Sequence, residues 1–334
     1  MTGGTGRDRE LRWGIVGAGR AALAFAQDLA RAPGNRVETV AARDPDRAGQ
    51  LRERVGGRRA SRCYQALFDD PAVDVVYIAT VNSVHHEHAL RALDAGKHVV
   101  VEKPFAVSAG LAREVAARAE AAGRFCMEGM WMRMHPLVRR VHALVREGGI
   151  GDLLGVRAEL STPHPYRPRD RLFDPAVGGG ALLDLGVYPA HFAWMLLGAP
   201  DGVAATRTLA LSGVDDSVAM QWTYQGGQFA QLFTSFRGPS ALGAVISGTT
   251  GFAHLGPRLN RPRRLTVWVG PSDPVTETDN GAGNGFGPEI AEVARCIRAG
   301  ATQSPLAPLD DTIGVLEALD RVRPSRGGPV RWGG

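Results

Sequence analysis

The chain carries 39 lysines and arginines, yet Lys97 and Lys103 are its only lysines, and both fall in the stretch GKHVVVEKPF. Burial and neighbours can move the pKa of an ammonium, whereas a guanidinium stays charged. A lysine retained on an arginine-rich chain is therefore a candidate for chemistry. Lys103 stands between Glu102 and Pro104 at the end of an apolar run, which suits a strand end. A second signal lies nearer the N-terminus, where GAGRAA (residues 17–22) follows an apolar run and opens a stretch of good helix formers. In that context Gly17 permits a tight turn, Gly19 lets backbone approach a pyrophosphate, and Ala22 allows close helix packing. The helix N-terminus then offers N–H donors to the anion. The spacing predicts a dinucleotide site.

The choice of dinucleotide falls to the tip of the next strand, VAARDPDRA, about 20 residues past the glycines. Arg43 stands there, with Asp44 beside it and Arg47 a helical turn later. A guanidinium can stack on adenine and pair with a 2′-phosphate, but it offers no acceptor to a ribose hydroxyl. The expected cofactor is NADP(H). The alternative is that Asp44 turns inward to serve NAD(H) while Arg43 is solvated.

A third signal is DLGVY. Hydride transfer at a carbinol carbon needs one group to move the hydroxyl proton and another to stabilise charge on oxygen. Tyr188 can move the proton, but a phenol is too weak an acid to act as a base at neutral pH without a nearby ammonium. Lys103 is expected to supply that charge and hold the phenol down. Asp184, four residues before Tyr188, would share its helical face and hold Lys103 or bond a substrate hydroxyl. Trp131 and Arg133 are expected to line the substrate pocket with Asp184 and Tyr188, the indole stacking on a ring face. Read singly, Tyr188 and Trp131 would be packing residues and Asp184 a helix N-terminal acid.

The elements that must position these groups are legible in the pattern. At 334 residues the length favours two domains. Apolar runs such as DVVYIAT and HVVVE alternate with helical stretches up to RFCMEGM, which predicts a doubly wound parallel sheet in an NADP-binding domain over residues 1–130. From residue 131 to 334, strand-like runs follow one another with Gly-rich turns between them. They predict an α+β domain with a large, mainly antiparallel open sheet, a helix around Ala181 to Leu197, and two closing helices. DNGAGNGFG reads as a flexible loop and PRLNRPRR as a solvated one, not a nucleic-acid patch. Three scattered cysteines give neither a disulfide framework nor a zinc site, so no metal is expected. The N-terminus has no apolar core of a signal peptide, and no later run reads as membrane-spanning. The expected compartment is the cytoplasm.

Taken together, GIVGAG, VNSVHHEHALRALDAGKHVVVEKP and GGGALLDLGVYPAHF resemble the Gfo/Idh/MocA oxidoreductase family. LRWGIV, VAARD, EGMWMR and GGALLDLGVY are similar to its dihydrodiol dehydrogenase branch, which includes NADP-dependent enzymes acting on trans-dihydrodiols and on pyranoses such as xylose. The resemblance makes Lys103 the active-site lysine and matches Asp184 and Tyr188 to a D-x-G-x-H pattern with tyrosine in the last place. Val81 stands where proline is usual before Asn82, and His191 replaces an acid common three residues after the tyrosine position. Cofactor contacts are expected from Gly17, Ala18, Gly19, Arg20 and Ala21, and from Arg43 and Arg47 at the adenosine end. Thr80, Asn82, His85, Glu102 and Lys103 would complete them from the neighbouring strand ends, His85 either capping a helix or touching substrate. The implied function is NADP-dependent hydride transfer on a cyclic polyol, pyranose or vicinal diol, in a homodimer or homotetramer built through the second sheet. Two alternatives stay open: a 3-ketoreductase of a nucleotide-linked deoxysugar, with Arg167, Arg169 and Arg171 as diphosphate partners, and a non-catalytic NADP sensor.

Overall fold

A computed structural model describes residues 10–323 of the chain. The first half alternates β1 (Leu11–Val16), α1 (Arg20–Leu29), β2 (Asn35–Ala41), α2 (Pro45–Val55), β3 (Arg59–Ala60), α3 (Tyr64–Phe68), β4 (Val75–Ile78), α4 (His85–Asp94), β5 (His98–Glu102), α5 (Ala109–Ala122) and β6 (Cys126–Gly129). All six strands are parallel, in the order β3-β2-β1-β4-β5-β6. Strand order reverses between β1 and β4, and in such sheets ligands bind at the carboxyl ends beside that switch point. Successive strand residues feed opposite faces. Trp13, Ile15, Tyr77 and Val100 pack towards α1 and α2, while Val16, Ile78, Val99 and Val101 pack towards α3, α4 and α5. Local chemistry sets the helix ends. Asp44 caps α2 by accepting from the N–H groups of Asp46 and Arg47, Pro45 occupies its first turn, and Gly56 ends it in the left-handed region. Lys97 is structural, its buried ammonium donating to the carbonyls of Asp70 and Val73 at 2.7 and 2.9 Å.

The second half holds α6 (Pro136–Arg146), β7 (Leu153–Ser161), α7 (Val187–Leu197), then β8 (Gly202–Leu209), β9 (Asp215–Thr223), β10 (Phe229–Ser235), β11 (Ala244–Gly248), β12 (Gly251–Gly256), β13 (Arg264–Val269), β14 (Val275–Thr278), α8 (Gly287–Arg298) and α9 (Leu309–Asp320). Its eight strands run β14-β13-β12-β11-β7-β10-β9-β8, antiparallel throughout except for the β7–β10 pair. Strands β8 and β12 to β14 are absent from the sequence reading; β8 is half-exposed along its length and β13 starts directly after an arginine-rich turn, so neither shows a clean alternation. One sheet face is covered by α7. The stretch Pro175–Leu197, which contains α7, is long and apolar enough to cross a membrane by length and composition, against the sequence reading. Its most apolar window is 78% buried inside the protein, and a helix enclosed on all sides by protein is apolar all round.

The closing helices bridge the expected division at residue 130. Helix α8 touches α1 and the turn at Trp131–Met134, and α9 lies between α5 and α7, so both connect the two halves. The loop DNGAGNGFG is likewise docked. Asn284 N–H donates to the Asp28 carboxylate at 2.9 Å, its amide reaches the Ala24 carbonyl at 3.0 Å, and Phe286 N–H also donates to Asp28. Asp28, buried at the end of α1, thereby fixes a segment whose composition reads as flexible.

Candidate active site

The glycine loop has the form a dinucleotide needs. Gly17 sits at φ +112°, a conformation that favours glycine, and a Cβ there would collide with the Ala79 carbonyl oxygen. Gly19 faces open space and precedes α1, which has neither a side-chain cap nor an acid in its first turn. The N–H donors of that helix end are left for an anion, with exposed Arg20 and half-buried Ala18 and Ala21 around them. At the adenosine end Arg43 is exposed. Asp44 spends its carboxylate on capping α2, which disfavours the alternative in which it serves a ribose. Arg47 donates to the Ala18 carbonyl at 2.8 Å and ties the start of α2 to the glycine loop. These residues fit a nicotinamide dinucleotide with a phosphate on its adenosine ribose.

The turn after β4 packs on this loop, a Cβ on Gly17 standing 3.4 Å from Thr80 N, and the end of β5 lies one strand further along the sheet. His85 places Nδ1 2.8 Å from the Pro104 carbonyl and Nε2 3.3 Å from the Thr80 carbonyl, joining the turn after β4 to the turn that bears Lys103. Burial lowers its pKa to about 4, so the ring is neutral at pH 7. With a single N–H, the neutral ring donates to the Pro104 carbonyl and so staples the start of α4 to the turn that bears Lys103. Thr80 also lies 3.3 Å from His88 through its hydroxyl. Two expected cofactor contacts turn elsewhere. The Asn82 amide donates to the Gly178 carbonyl of the second half at 2.8 Å. Glu102 is buried, accepting from the Tyr77 hydroxyl and from Lys103 N–H, because its position on β5 points it into the core.

Lys103, Asp184 and Tyr188 do converge. The Lys103 ammonium donates to the Asp184 carbonyl at 2.5 Å, lies 3.5 Å from Asp184 Oδ1, and sits 5.2 Å from the centre of the Tyr188 ring. The Asp184 carbonyl is presented by a wide π-helical turn, Leu182–Gly186, that runs into α7. Pro189 lacks an N–H, and its ring would crowd the carbonyl four residues back; a widened turn accommodates both effects. The turn corrects the expectation of a regular four-residue spacing, and it makes the backbone of Asp184, more than its carboxylate, the grip on Lys103. Arg171 places two nitrogens 3.3 Å from Asp184 Oδ1. Burial would push this carboxyl up, but Lys103 and Arg171 outweigh it and hold it below its ordinary value. Arg167 and Arg169 are exposed on the same segment as Arg171.

Tyr188 differs from the expectation. Burial first, then the Glu102 carboxylate, push its phenol well above the ordinary value, and Lys103 reaches the ring rather than the hydroxyl. The side chain is therefore a neutral phenol here. Trp131 Nε1–H donates to its oxygen at 2.9 Å. With a lone pair of the oxygen so occupied, the phenolic O–H remains as a donor. Trp131 is not an open stacking platform. It is buried, its ring lies 5.3 Å from that of Phe286, and a Cβ on Gly285 would stand 2.6 Å from it. Arg133 also leaves the expected pocket: its side chain is buried, donating to the Leu306 carbonyl at 2.7 Å and to Asp311 at 2.6 Å ahead of and within α9.

Beneath the cluster lie acids that the sequence reading passed over. Glu128 and Glu289 join Glu102 as buried carboxyls. Both Glu289 oxygens lack a hydrogen-bond partner among the described residues, and burial, then Glu102 and Glu128, push its pKa well up, so it is held as a neutral acid. Glu128 is paired, Oε2 lying 2.9 Å from His191 Nε2. The available signal was a glutamate inside the apolar strand FCMEGM.

Comparison with known proteins agrees with this geometry. Residues 11–130 match the oxidoreductase family with an NAD-binding Rossmann fold, and residues 138–254 match the GFO/IDH/MocA C-terminal domain. A trans-1,2-dihydrobenzene-1,2-diol dehydrogenase of Mus musculus is 36% identical over 326 residues, 95% of this chain and 97% of that one. A 3-ketoreductase from Actinomadura kijaniata, in complex with NADP and TDP-benzene, superposes with a TM-score of 0.83 at 28% identity, covering 94% of this chain and 97% of the other. An aldose-aldose oxidoreductase from Caulobacter crescentus, complexed with glycerol, gives a TM-score of 0.84 at 26% identity over 94% and 96% of the two chains. A dinucleotide loop at the switch point, a lysine and a tyrosine brought together from two halves, and full-length similarity to such enzymes have one reading: the chain belongs to the Gfo/Idh/MocA family of oxidoreductases.

Proposed function

We propose that the protein is an NADP(H)-dependent oxidoreductase that interconverts a carbinol and a carbonyl on a small ring bearing neighbouring hydroxyls: a trans-dihydrodiol, a pyranose or a cyclic polyol. The observation that carries this reading is the Lys103–Asp184–Tyr188 cluster at the carboxyl edge of the same parallel sheet that carries the glycine loop. A bound nicotinamide supplies the hydride acceptor or donor. The protein's own residues do the rest. In reduction, Tyr188 O–H gives its proton to the substrate oxygen as charge develops there, and Lys103 offsets that charge. In oxidation, the same oxygen takes the proton back. A neutral Tyr188 is in the protonation state that the reductive step starts from. Asp184, kept ionised, is an acceptor for an adjacent hydroxyl. The mouse relative, named for a diol, supports a vicinal diol as substrate.

The second reading is a ketoreductase of a nucleotide-linked sugar, favoured by Arg167, Arg169 and Arg171 on the segment beside Asp184. A sensor would have no need of the lysine–tyrosine pair. Exposed Leu154, Phe233 and Phe252 on the uncovered face of the eight-stranded sheet support self-association there, as a homodimer or homotetramer, and free Cys63, Cys126 and Cys296 suit the cytoplasm. A screen of dihydrodiols, pyranoses and nucleotide sugars, read as NADPH absorbance, tests the reading. Turnover confined to nucleotide sugars would replace the first reading with the second, and none at all with intact NADPH binding would favour the sensor.

A further inference from the structure

Glu128 ties together three segments around the active site. It lies on β6, is 1% exposed, and makes contacts to three other elements. Oε1 accepts from Phe105 N–H at 3.0 Å, two residues past Lys103. Oε2 accepts from the Thr312 hydroxyl of α9 at 2.9 Å and lies 2.9 Å from His191 Nε2 of α7. His191, also 1% exposed, stands three residues after Tyr188 and therefore on the same face of α7. Its Nδ1 has no partner among the described residues, so Glu128 is the ring's one polar anchor. Both side chains are buried. One carboxylate thus holds the turn bearing Lys103 and the helix bearing Tyr188, which come from opposite halves of the chain.

We infer that Glu128 and His191 are a positioning couple: their buried contact sets the placement of the Tyr188 hydroxyl relative to Lys103, and turnover depends on it. The inference rests on the oxidoreductase reading for its effect on rate, but not for its effect on Tyr188. A proton transfer works only when donor and acceptor oxygens meet at hydrogen-bond distance, and a misplacement of about 1 Å is enough to cost about 10²-fold in rate. Leaving a buried carboxylate without its partner forces neighbouring elements to move or the carboxylate to take up a proton. Glu289 and the Thr312 hydroxyl are other polar groups near Glu128, and neither offers a nitrogen donor able to replace the His191 ring. The sequence already marks His191 as a departure from the family pattern, in which an acid is common at that place.

The protein has five tyrosines, so a carbon-13 label on the tyrosine ring carbon bearing the hydroxyl gives five NMR lines, and Tyr188→Phe assigns the one that matters. His191→Leu is measured beside His191→Gln, which keeps a single N–H donor for Glu128. Glu128→Gln provides a second approach should the leucine variant not fold. With NADPH bound, His191→Leu and Glu128→Gln should shift the Tyr188 line and lower turnover of the best substrate at least about tenfold, with NADPH affinity kept within about twofold. His191→Gln should restore the line and most of the turnover. An unmoved Tyr188 line in the folded variants overturns the inference, and so does a loss of turnover with the line in place. If the wild-type protein turns over no substrate, the oxidoreductase reading fails, while the tyrosine line still decides the couple.

Discussion

The cofactor edge and the proton-transfer cluster lie side by side and are built from opposite materials. The edge is made of backbone: a glycine in the left-handed region, an uncapped helix end, and two exposed arginines. The cluster is made of side chains brought from two halves, nearly all buried, with ionisation set by their surroundings. A backbone site works through fixed dipoles that need little tuning. A buried side-chain site depends on every neighbouring charge, so one distant substitution can change its chemistry. The difference predicts that variants should separate into those that lose turnover and those that lose cofactor.

The sharpest separation is expected at Tyr188. Tyr188→Phe should lower turnover by about 10²–10⁴-fold while calorimetry finds NADPH bound as before. Adding Lys103→Met should cost little more than the worse single change, because residues acting as a unit are non-additive. Fully multiplicative losses would show that the two act independently.

The His85 staple joins the two regions and should appear in stability. Its pKa is about 4 when folded and 6.5 as a free side chain. Between those values the unfolded chain binds the proton and the folded one does not, so stability falls as pH drops from 6.5 towards 4. This group should account for up to about 3 kcal/mol of that drop. His85→Gln should remove that share from the pH 7-to-4 difference in denaturant unfolding; an unchanged difference would show that His85 titrates normally in the folded protein.

Two smaller effects sharpen the contrast. Arg43→Ala should weaken NADP(H) binding about tenfold, the worth of a charge-assisted hydrogen bond at an exposed site, and leave NAD(H) unaffected. Equal affinity of the unmodified protein for both cofactors would remove Arg43 from the site. Trp131→Phe deletes one hydrogen bond to Tyr188 while keeping the packing on Phe286, and should slow turnover by about two- to tenfold with cofactor affinity intact. If the Michaelis constant rises instead and turnover holds, the indole touches substrate after all.

Much of the protein was determined along the sequence itself. A parallel sheet flanked by helices follows from apolar runs at regular spacing, and the glycine loop from a contiguous string whose every position has a local steric reason. Lys103 announced itself by the scarcity of lysine, and its place at a strand end needed only the apolar run before it. Asp184 and Tyr188 were found because they are neighbours in the chain. What only tertiary structure decided is where side chains point and what surrounds them. Adjacency to motifs assigns Arg133 to the substrate pocket and Glu102 to the cofactor, but each turns inward to a partner remote from it in sequence: Asp311 for Arg133, Tyr77 for Glu102. Glu128, Glu289 and His191 have meaning only once α7, α8 and α9 fold back over the first sheet. The state of Tyr188 belongs to this class too. Its phenol is neutral because burial and Glu102 outweigh a lysine that meets the ring, and burial arises from the whole packing of the chain, which no local spacing encodes.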